Sequence, residues 1–206
     1  MLALQIRNLR KSYGSHTVFR ELSLKHDGGT LGIAGLNGSG KSTLLRCIGG
    51  LLKPDDGDLG WLRDGTPLGD NEVKRMLGYA APYISLYGEL SPRENLSFIL
   101  RLRKERPDDR RTDALLEWVG LASHVDRPFG KLSTGQKQRA RLASALVHDP
   151  DILLLDEPGS NLDEEGQRLV AQIAARFRSS GHMLVIASNN SDELDLCERV
   201  FSVAKH

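Results

Sequence analysis

The chain has 206 residues, of which 39% are hydrophobic and 27% charged, and its formal net charge is +1. These values are ordinary for a globular protein and exclude a disordered or fibrous chain. The one basic segment, residues 101–111, is interrupted by three acidic residues, so a solvated helix face is favoured over nucleic-acid binding. No run of about 18 apolar residues occurs, so the chain is not expected to span a bilayer by itself.

The first thirty residues predict an antiparallel β layer. Apolar residues alternate with polar ones over residues 2–6 and recur in short stretches at 18–19 and 22–24. Gly14 and the run 27–29 interrupt these stretches, as turns do. Residues 31–34 then predict a buried strand, and the spacing of Leu44, Leu45 and Ile48 predicts a helix that begins near Lys41.

A glycine-rich loop, GLNGSGKST, joins that strand to that helix. Gly35 is followed by four residues and then by Gly40, Lys41 and Ser42, which is the phosphate-binding pattern in its required strand–helix context. Glycines let successive backbone N–H groups point inward, and Lys41 adds a full charge toward the β- and γ-phosphates. The Ser42 hydroxyl would bind Mg²⁺. The alternative is a glycine-rich turn that matches by chance.

The middle of the chain, about 88–147, predicts a helical insertion. Ser91, Pro92 and Glu94 supply an N-cap, a first-turn proline and a capping-box acid for a helix that runs to about residue 104. Further helical stretches cover 113–119 and 136–147. Between them, Ser133 and Gln136 in KLSTGQKQR have capping-box spacing and present free N–H groups to an anion.

The last part of the chain alternates strands and helices again. Strands are predicted at 152–155 and 183–187, with a helix at 164–177 and a short helix from Ser191, which implies parallel strands and a site at their carboxyl ends. In ILLLDEP, Asp156 and Glu157 follow a buried strand. Asp156 is the candidate for the metal and Glu157 for the general base. In isolation, the pair would be interpreted as solvated acids at a strand end.

These motifs together resemble the ATP-binding cassette (ABC) family, the ATPase subunits of ABC transporters. GLNGSGKST is similar to its Walker A motif, LSTGQ to its signature motif with Thr134 in place of the usual glycine, ILLLDE to Walker B, and SNLD at 160–163 to the D-loop. Walker motifs occur in many NTPases, whereas the signature motif points to this family. The short chain is similar to compact cassettes of small export systems and haem exporters.

The resemblance implies an α/β fold: a P-loop NTPase core with a mainly parallel sheet, an N-terminal antiparallel β layer and a helical subdomain, all within one domain over residues 1–206. It implies ATP and Mg²⁺ as cofactors, with Glu157 and Lys41 catalytic and Ser42 and Asp156 holding the metal. It also implies a homo- or heterodimer in which the signature loop of one subunit closes on ATP bound to the Walker A motif of the other. The residues expected to contact ATP are Tyr13, stacked on adenine, Gly35, Asn37, Gly38, Ser39, Gly40, Lys41, Ser42, Thr43, Ser133, Gly135, Gln136 and Asn189.

Two positions depart from the family pattern. Pro82 stands where a glutamine near Mg²⁺ and the attacking water is usual, and Asn189 stands where the family has a histidine. Asparagine donates a hydrogen bond but cannot carry the charge of an imidazolium, so weak γ-phosphate sensing and slow hydrolysis are expected. Since Lys41, Asp156 and Glu157 are present, an active ATPase remains the favoured prediction.

The predicted function is an ATP-hydrolysing subunit that powers transport through separate membrane subunits from the cytoplasmic face of the cell membrane. An apolar and aromatic group after the altered position either receives the membrane subunit or is buried: Tyr83, Ile84, Leu86, Tyr87 and Leu90. The alternative functions are a soluble ABC ATPase without a role in transport and a nucleotide-gated scaffold with very low hydrolysis. Cargo and direction of transport are not encoded in these motifs.

Overall fold

Strands and helices alternate along the chain in a computed structural model that describes residues 1–203. In chain order the elements are β1 (Leu2–Tyr13), β2 (His16–Asp27), β3 (Gly29–Ala34), α1 (Lys41–Ile48), β4 (Asp56–Arg63), β5 (Thr66–Pro67), α2 (Asp70–Met76), β6 (Leu77–Ala80), α3 (Pro92–Leu102), α4 (Asp109–Trp118), α5 (Thr134–Leu146), β7 (Ile152–Asp156), α6 (Glu164–Ser180), β8 (Met183–Ser188), α7 (Ser191–Leu194) and β9 (Arg199–Ser202).

A five-stranded parallel sheet carries the site. Its strand order is β6-β7-β8-β3-β9, which confirms the predicted parallel arrangement and adds β6 and β9 as the two edge strands. In the register of β8, Ala187 lies opposite Asp156 of β7 and Ser188 opposite Ala34 of β3. The loops that follow β3, β7 and β8 therefore leave the sheet side by side at one edge.

The two faces of this sheet are covered by two hydrophobic clusters. Leu153, Leu155 and Ile186 pack on one face beneath residues of α3 to α6. Leu154 and Val185 point to the other face, where they pack with α1 and the N-terminal strands. Because both faces are buried, the strands are continuous apolar runs without alternation, as expected for parallel sheets.

The predicted antiparallel layer is confirmed as a four-stranded sheet with the order β2-β1-β4-β5. The short apolar stretches of the N-terminus form two paired strands of 12 residues each. Asn8 and Glu21 have φ angles of 48° and 53°, and register shifts between the strands interrupt the alternation near these positions. Such bulges are the reason that the sequence pattern breaks into short pieces. β4 and β5 were not predicted.

Three long helices form the middle of the chain, at boundaries close to those predicted. α3 ends at Leu102 rather than near 104, since Lys104 has a φ of 60° and cannot continue the helix. α4 starts at Asp109 rather than 113, because the Asp108 side chain accepts hydrogen bonds from the next amides and caps the helix. The helices share one hydrophobic cluster with the sheet, so the boundaries 88–147 of a helical subdomain remain a prediction.

Within residues 1–203, no helix combines the length and the apolar composition needed to cross a bilayer.

Candidate functional site

The glycine-rich loop between β3 and α1 forms a cradle of backbone amides. Gly38 and Gly40 have φ angles of 80° and 99°, which disfavour any other residue. A Cβ atom on Gly40 would also overlap the side chain of Val18. α1 begins at Lys41 without a side-chain cap, so its first amides have no side-chain acceptor. Uncapped amides at the start of a helix favour an anion such as a phosphate.

Lys41 lies inside this cradle with only 6% of its side chain exposed. Its Nζ donates a hydrogen bond of 2.9 Å to the carbonyl oxygen of Gly35 and lies 3.4 Å from that of Leu36. The same Nζ lies 3.5 Å from Oε1 of Glu157. The ammonium group is therefore held between the loop carbonyls and a carboxylate that follows β7, two places from β3 in the sheet.

Asp156, the last residue of β7, is 2% exposed, and neither of its carboxylate oxygens has a hydrogen-bond donor within residues 1–203. Burial raises the pKa of this carboxyl group, and the charge of Glu157 adds to the shift, while Ser42 and Lys41 oppose it. A buried carboxylate without a donor is costly unless a cation pairs with it. The position is suited to a metal ion.

The donor set around Asp156 fits Mg²⁺. A carboxylate and the hydroxyl of Ser42 are hard oxygen ligands, which Mg²⁺ prefers. Within the described residues, no group of three or more histidine, cysteine or acidic side chains forms a metal cage. A small number of protein ligands agrees with Mg²⁺, which usually takes one or two carboxylates and completes its coordination shell with phosphates and water.

Glu157 follows Asp156 in a left-handed backbone conformation with a φ of 46°. Its N–H donates to the carbonyl oxygen of Ala187 at 2.8 Å, and its Oε2 accepts a hydrogen bond of 3.3 Å from the Ser188 hydroxyl. Its Oε1 faces Lys41. The carboxylate is thus held beside the phosphate loop while remaining partly exposed.

Asn189 joins the same site from the loop after β8. Its side-chain amide donates a hydrogen bond of 2.9 Å to Oδ1 of Asn37 in the phosphate loop. The structure therefore brings together the predicted residues of the loop after β3, the two acids after β7 and the residue in place of the family histidine.

Two sets of predicted residues lie apart from this constellation. Tyr13 is exposed at the end of β1, with the Lys11 ammonium 5.7 Å from its ring centre. The signature residues Ser133, Gly135 and Gln136 lie at the start of α5. There Ser133 and Gln136 form the predicted reciprocal capping box, and the Gln136 amide lies 3.0 Å from His124 Nε2. No hydrogen bond or ion pair among residues 1–203 joins these three to the phosphate loop.

The segment around Pro82 has contacts that the sequence did not predict. Pro82 itself is exposed, and the next residue, Tyr83, accepts a hydrogen bond of 3.0 Å from Arg46 of α1. The Arg46 guanidinium also lies 4.1 Å from the ring centre of Tyr83, and the hydroxyls of Tyr79 and Tyr83 contact each other. Tyr83 and Tyr87 are exposed, whereas Leu86 packs against the core. Part of the apolar and aromatic group is therefore exposed and available to a membrane subunit, and part of it is packed against the core.

Three further polar side chains near Glu157 were missed by sequence reasoning. Gln138, Gln167 and Glu193 lie on α5, α6 and α7 and bond to the backbone of residues 158 and 159. In the sequence, these residues could have been found only as polar residues on the apolar face of a helix. That signal is weak because most such residues only satisfy local structure.

The chain is similar to known ABC transporter proteins. A family profile described as "ABC transporter" matches residues 20–160. The sulfate/thiosulfate import ATP-binding protein CysA 1 of Chromobacterium violaceum is 34% identical over 97% of this chain, which covers 58% of that relative. The Nod factor export ATP-binding protein I of Sinorhizobium fredii is 32% identical over 97% of the chain, which covers 59% of it. The chain thus spans about three fifths of the length of these two relatives.

Solved structures show the same fold over nearly the whole chain. A dimeric bacterial ABC transporter cassette superposes with a TM-score of 0.83 and 25% identity, covering 97% of this chain and 94% of that one. A post-hydrolysis dimer of the same cassette, bound to ADP and Pi, superposes with a TM-score of 0.82, also at 25% identity and with the same coverage. With the phosphate loop, the paired acids and the signature loop in place, the chain belongs to the ABC transporter family, as an ATP-binding cassette with a P-loop NTPase fold.

Proposed function

We propose that this chain binds Mg·ATP at the edge of its parallel sheet and hydrolyses it to power transport through separate membrane subunits. The observation that carries the proposal is the meeting of Lys41, Asp156 and Glu157 at one glycine-rich loop. A cation, an unpartnered buried carboxylate and a second carboxylate are the groups that phosphoryl transfer to water requires. The relatives are named as ATP-binding proteins, and one related cassette was solved with ADP and Pi.

The phosphates are held by backbone and charge. The amides of the loop and of the first turn of α1 donate to the β- and γ-phosphate oxygens, and Lys41 neutralises part of their charge. Tyr13 stacks on the adenine ring. The residues proposed to surround the phosphates are Gly35, Asn37, Gly38, Ser39, Gly40, Lys41, Ser42 and Thr43.

Ser42 and Asp156 are the proposed ligands of Mg²⁺. When bound there, Mg²⁺ would supply positive charge that offsets the negative charge of the phosphates. The burial of Asp156 without a hydrogen-bond donor supports this role, since a metal ion would supply the missing partner.

Glu157 is the proposed general base. It accepts a proton from the water whose oxygen attacks the γ-phosphorus, while the bond to the bridging oxygen of the leaving ADP breaks. In the nucleotide-free protein Lys41 lies 3.5 Å from Glu157. A γ-phosphate in the cradle competes for that ammonium, and its arrival releases the carboxylate for the water. Asn189 then donates to the γ-phosphate in place of the family histidine.

A dimer completes the site. Ser133, Gly135 and Gln136 make no hydrogen bond or ion pair with the phosphate loop of their own chain within residues 1–203, so they are available to ATP bound by a second cassette. The N-terminus of α5 also carries the positive potential of a helix start, which suits contact with a phosphate. The second cassette is another copy of this chain or a related subunit, and the dimeric state of the solved relative supports this arrangement.

The membrane partner docks on the segment after Pro82, where Tyr83 and Tyr87 are exposed. We place the chain in the cytoplasm, peripheral on the inner face of the membrane. Nucleic acid is not a proposed partner, since Arg103 and Arg111 of the basic segment pair with Glu105 and Asp149. The similar proteins include both an import and an export protein, so the direction of transport stays open.

A second candidate function is a nucleotide-gated scaffold that binds ATP and hardly turns it over. Pro82 and Asn189 favour it, because neither supplies the group that the family usually has near the water and the γ-phosphate.

Phosphate release and calorimetry separate the two functions. Purified protein should bind Mg·ATP and release phosphate in steady state, and Glu157→Gln should bind with similar affinity but lose turnover about 100-fold or more. Tight binding without turnover, even with the membrane partner present, would favour the scaffold. Equal rates for Glu157→Gln and the wild type would remove Glu157 from the mechanism.

A further inference from the structure

Three side chains hold the backbone immediately after Glu157. The N–H of Gly159 donates a hydrogen bond of 2.7 Å to Oε1 of Glu193. The carbonyl oxygen of Gly159 accepts from Nε2 of Gln167 at 2.9 Å, and that of Pro158 accepts from Nε2 of Gln138, also at 2.9 Å. We call these three side chains, from α5, α6 and α7, the backbone clamp.

Two of the three clamp side chains are buried, Gln167 is half-buried, and the clamp is closely fitted around Gly159. Glu193 is 3% exposed and Gln138 is also buried, although charged and amide side chains normally remain in water. A Cβ atom on Gly159 would overlap both the Glu193 carboxylate and the Gln167 amide. Only glycine lets two side chains approach the backbone this closely.

The clamp acts next to a strained residue. Glu157 has a φ of 46°, in the left-handed region that disfavours residues with a Cβ atom. Its N–H is fixed by Ala187, and among residues 1–203 its carbonyl oxygen accepts only a 3.1 Å turn hydrogen bond from Ser160. A strained backbone persists when its surroundings over-determine it. The clamp provides that constraint on the backbone that follows Glu157.

We infer that Gln138, Gln167 and Glu193 are positioning residues that set the direction of the Glu157 carboxylate toward the water. The inference rests on the proposed function, in which Glu157 is the general base. Gln138 adds a further consequence, because it lies two residues after Gln136 on the helix that begins with the signature loop. A shift of α5 when a second cassette closes on that loop would therefore move the backbone that carries Glu157.

Separate replacement of the three residues by alanine tests the inference. We expect Glu193→Ala, Gln167→Ala and Gln138→Ala to lower kcat for Mg·ATP at least about tenfold, since small displacements of a reacting group are costly. The Kd for Mg·ATP should stay within about twofold, because the cradle is untouched. Hydrogen exchange of the peptide that contains residues 157–160 should become faster. Glu193→Gln, which retains an oxygen acceptor, should recover most of kcat.

Arg168→Ala is the matched control. Arg168 neighbours Gln167 on α6, is exposed and, in the part of the chain that the structure describes, pairs only with Glu164 at 3.4 Å. This variant should therefore resemble the wild type in every measurement. If one clamp variant fails to fold, the other two decide, because each removes a hydrogen bond from a different helix.

Several results would overturn the inference. One is an unchanged kcat in the folded clamp variants. Another is a weakening of Mg·ATP binding as large as the fall in kcat, without recovery in Glu193→Gln. That result would mean that the clamp only stabilises the fold. The proposed function fails by a different result, namely wild-type turnover in Glu157→Gln. A wild-type protein without turnover would overturn both.

Discussion

Asn189 and Asn37 join the loop after β8 to the phosphate loop, with the Asn189 amide donating to Asn37 Oδ1 at 2.9 Å. The two residues are 152 positions apart in the chain. An amide donor occupies the place of the usual histidine of the family, and an amide does not titrate between pH 5 and 8. The contact to the phosphate loop is therefore neutral over the physiological range.

Asn189→His should raise kcat by about tenfold, equivalent to roughly 1.4 kcal/mol of added transition-state stabilisation. The imidazolium adds charge near the γ-phosphate, so the gain should fade as pH rises through about 6.5. Steady-state phosphate release from pH 6 to 8 measures both effects, with the wild-type profile as reference. Identical profiles for the two proteins would show that residue 189 does not contact the γ-phosphate.

Asp156→Asn should stabilise the protein in the absence of metal and nucleotide. The wild-type carboxylate is buried without a hydrogen-bond donor, and a neutral side chain of the same shape removes the cost of its charge. We expect a gain of about 1 kcal/mol, or a rise of about 3 °C in Tm, measured with EDTA present. In the wild type, ATP with Mg²⁺ should raise Tm more than ATP alone, and in Asp156→Asn this difference should disappear.

Asp151→Asn is the control for this variant, because it precedes the same strand and pairs with Arg63 at 2.5 Å. It should leave the Mg²⁺ effect intact and should not raise Tm. A lower Tm for Asp156→Asn would mean that the carboxylate is already satisfied in the metal-free protein.

His148 should make the protein less stable in mild acid. Burial lowers its pKa to about 4, while its Nε2 lies 3.1 Å from the carbonyl oxygen of Leu77. The unfolded chain, with a pKa near 6.5, binds more protons than the folded protein below that pH. Stability is therefore full above about pH 6.5 and falls as the pH decreases toward 4. The loss from this group should reach about 2 kcal/mol at pH 5.

Urea unfolding at pH 7 and pH 5 measures this loss. His148→Asn keeps a donor for the Leu77 carbonyl but cannot take up a proton. The difference between its free energies of unfolding at pH 7 and pH 5 should therefore be smaller than that of the wild type. His26, whose pKa burial also lowers, remains in both proteins and contributes equally. An unchanged pH dependence would exclude His148 as its source.

Tyr87→Asp should prevent recruitment to membranes that contain the partner subunit. The Tyr87 ring is 57% exposed and packs by its edge on Phe98 at 5.0 Å, so a charge there disrupts the docking segment without disturbing the core. We expect at least about tenfold less protein in a flotation assay. Leu102→Asp, at the end of α3 and 68% exposed, is the control. Equal recruitment of both folded variants would exclude this docking surface.

The local parts of the fold and site were predictable because their signals are local. The strand, glycine loop and helix that hold Lys41 are adjacent in the chain, and each step has its own residue signature. Asp156 and Glu157, at the end of the strand Ile152–Asp156, were found for the same reason. By contrast, β6 has only four residues, and its state as a strand depends on pairing with β7. Asp56–Arg63 contains two glycines and little alternation, so it was missed as a strand.

Sequence alone determined the chemistry available here: a phosphate loop, two acids after a buried strand and a signature loop, each identifiable within about ten residues. Only the tertiary structure decided which groups meet. The parallel register of β3, β7 and β8 brings Lys41 to Glu157 and Asn189 to Asn37, and the packing of three helices against the loop at Gly159 forms the clamp. Such contacts join distant parts of the chain, and burial, rather than any local pattern, selects them.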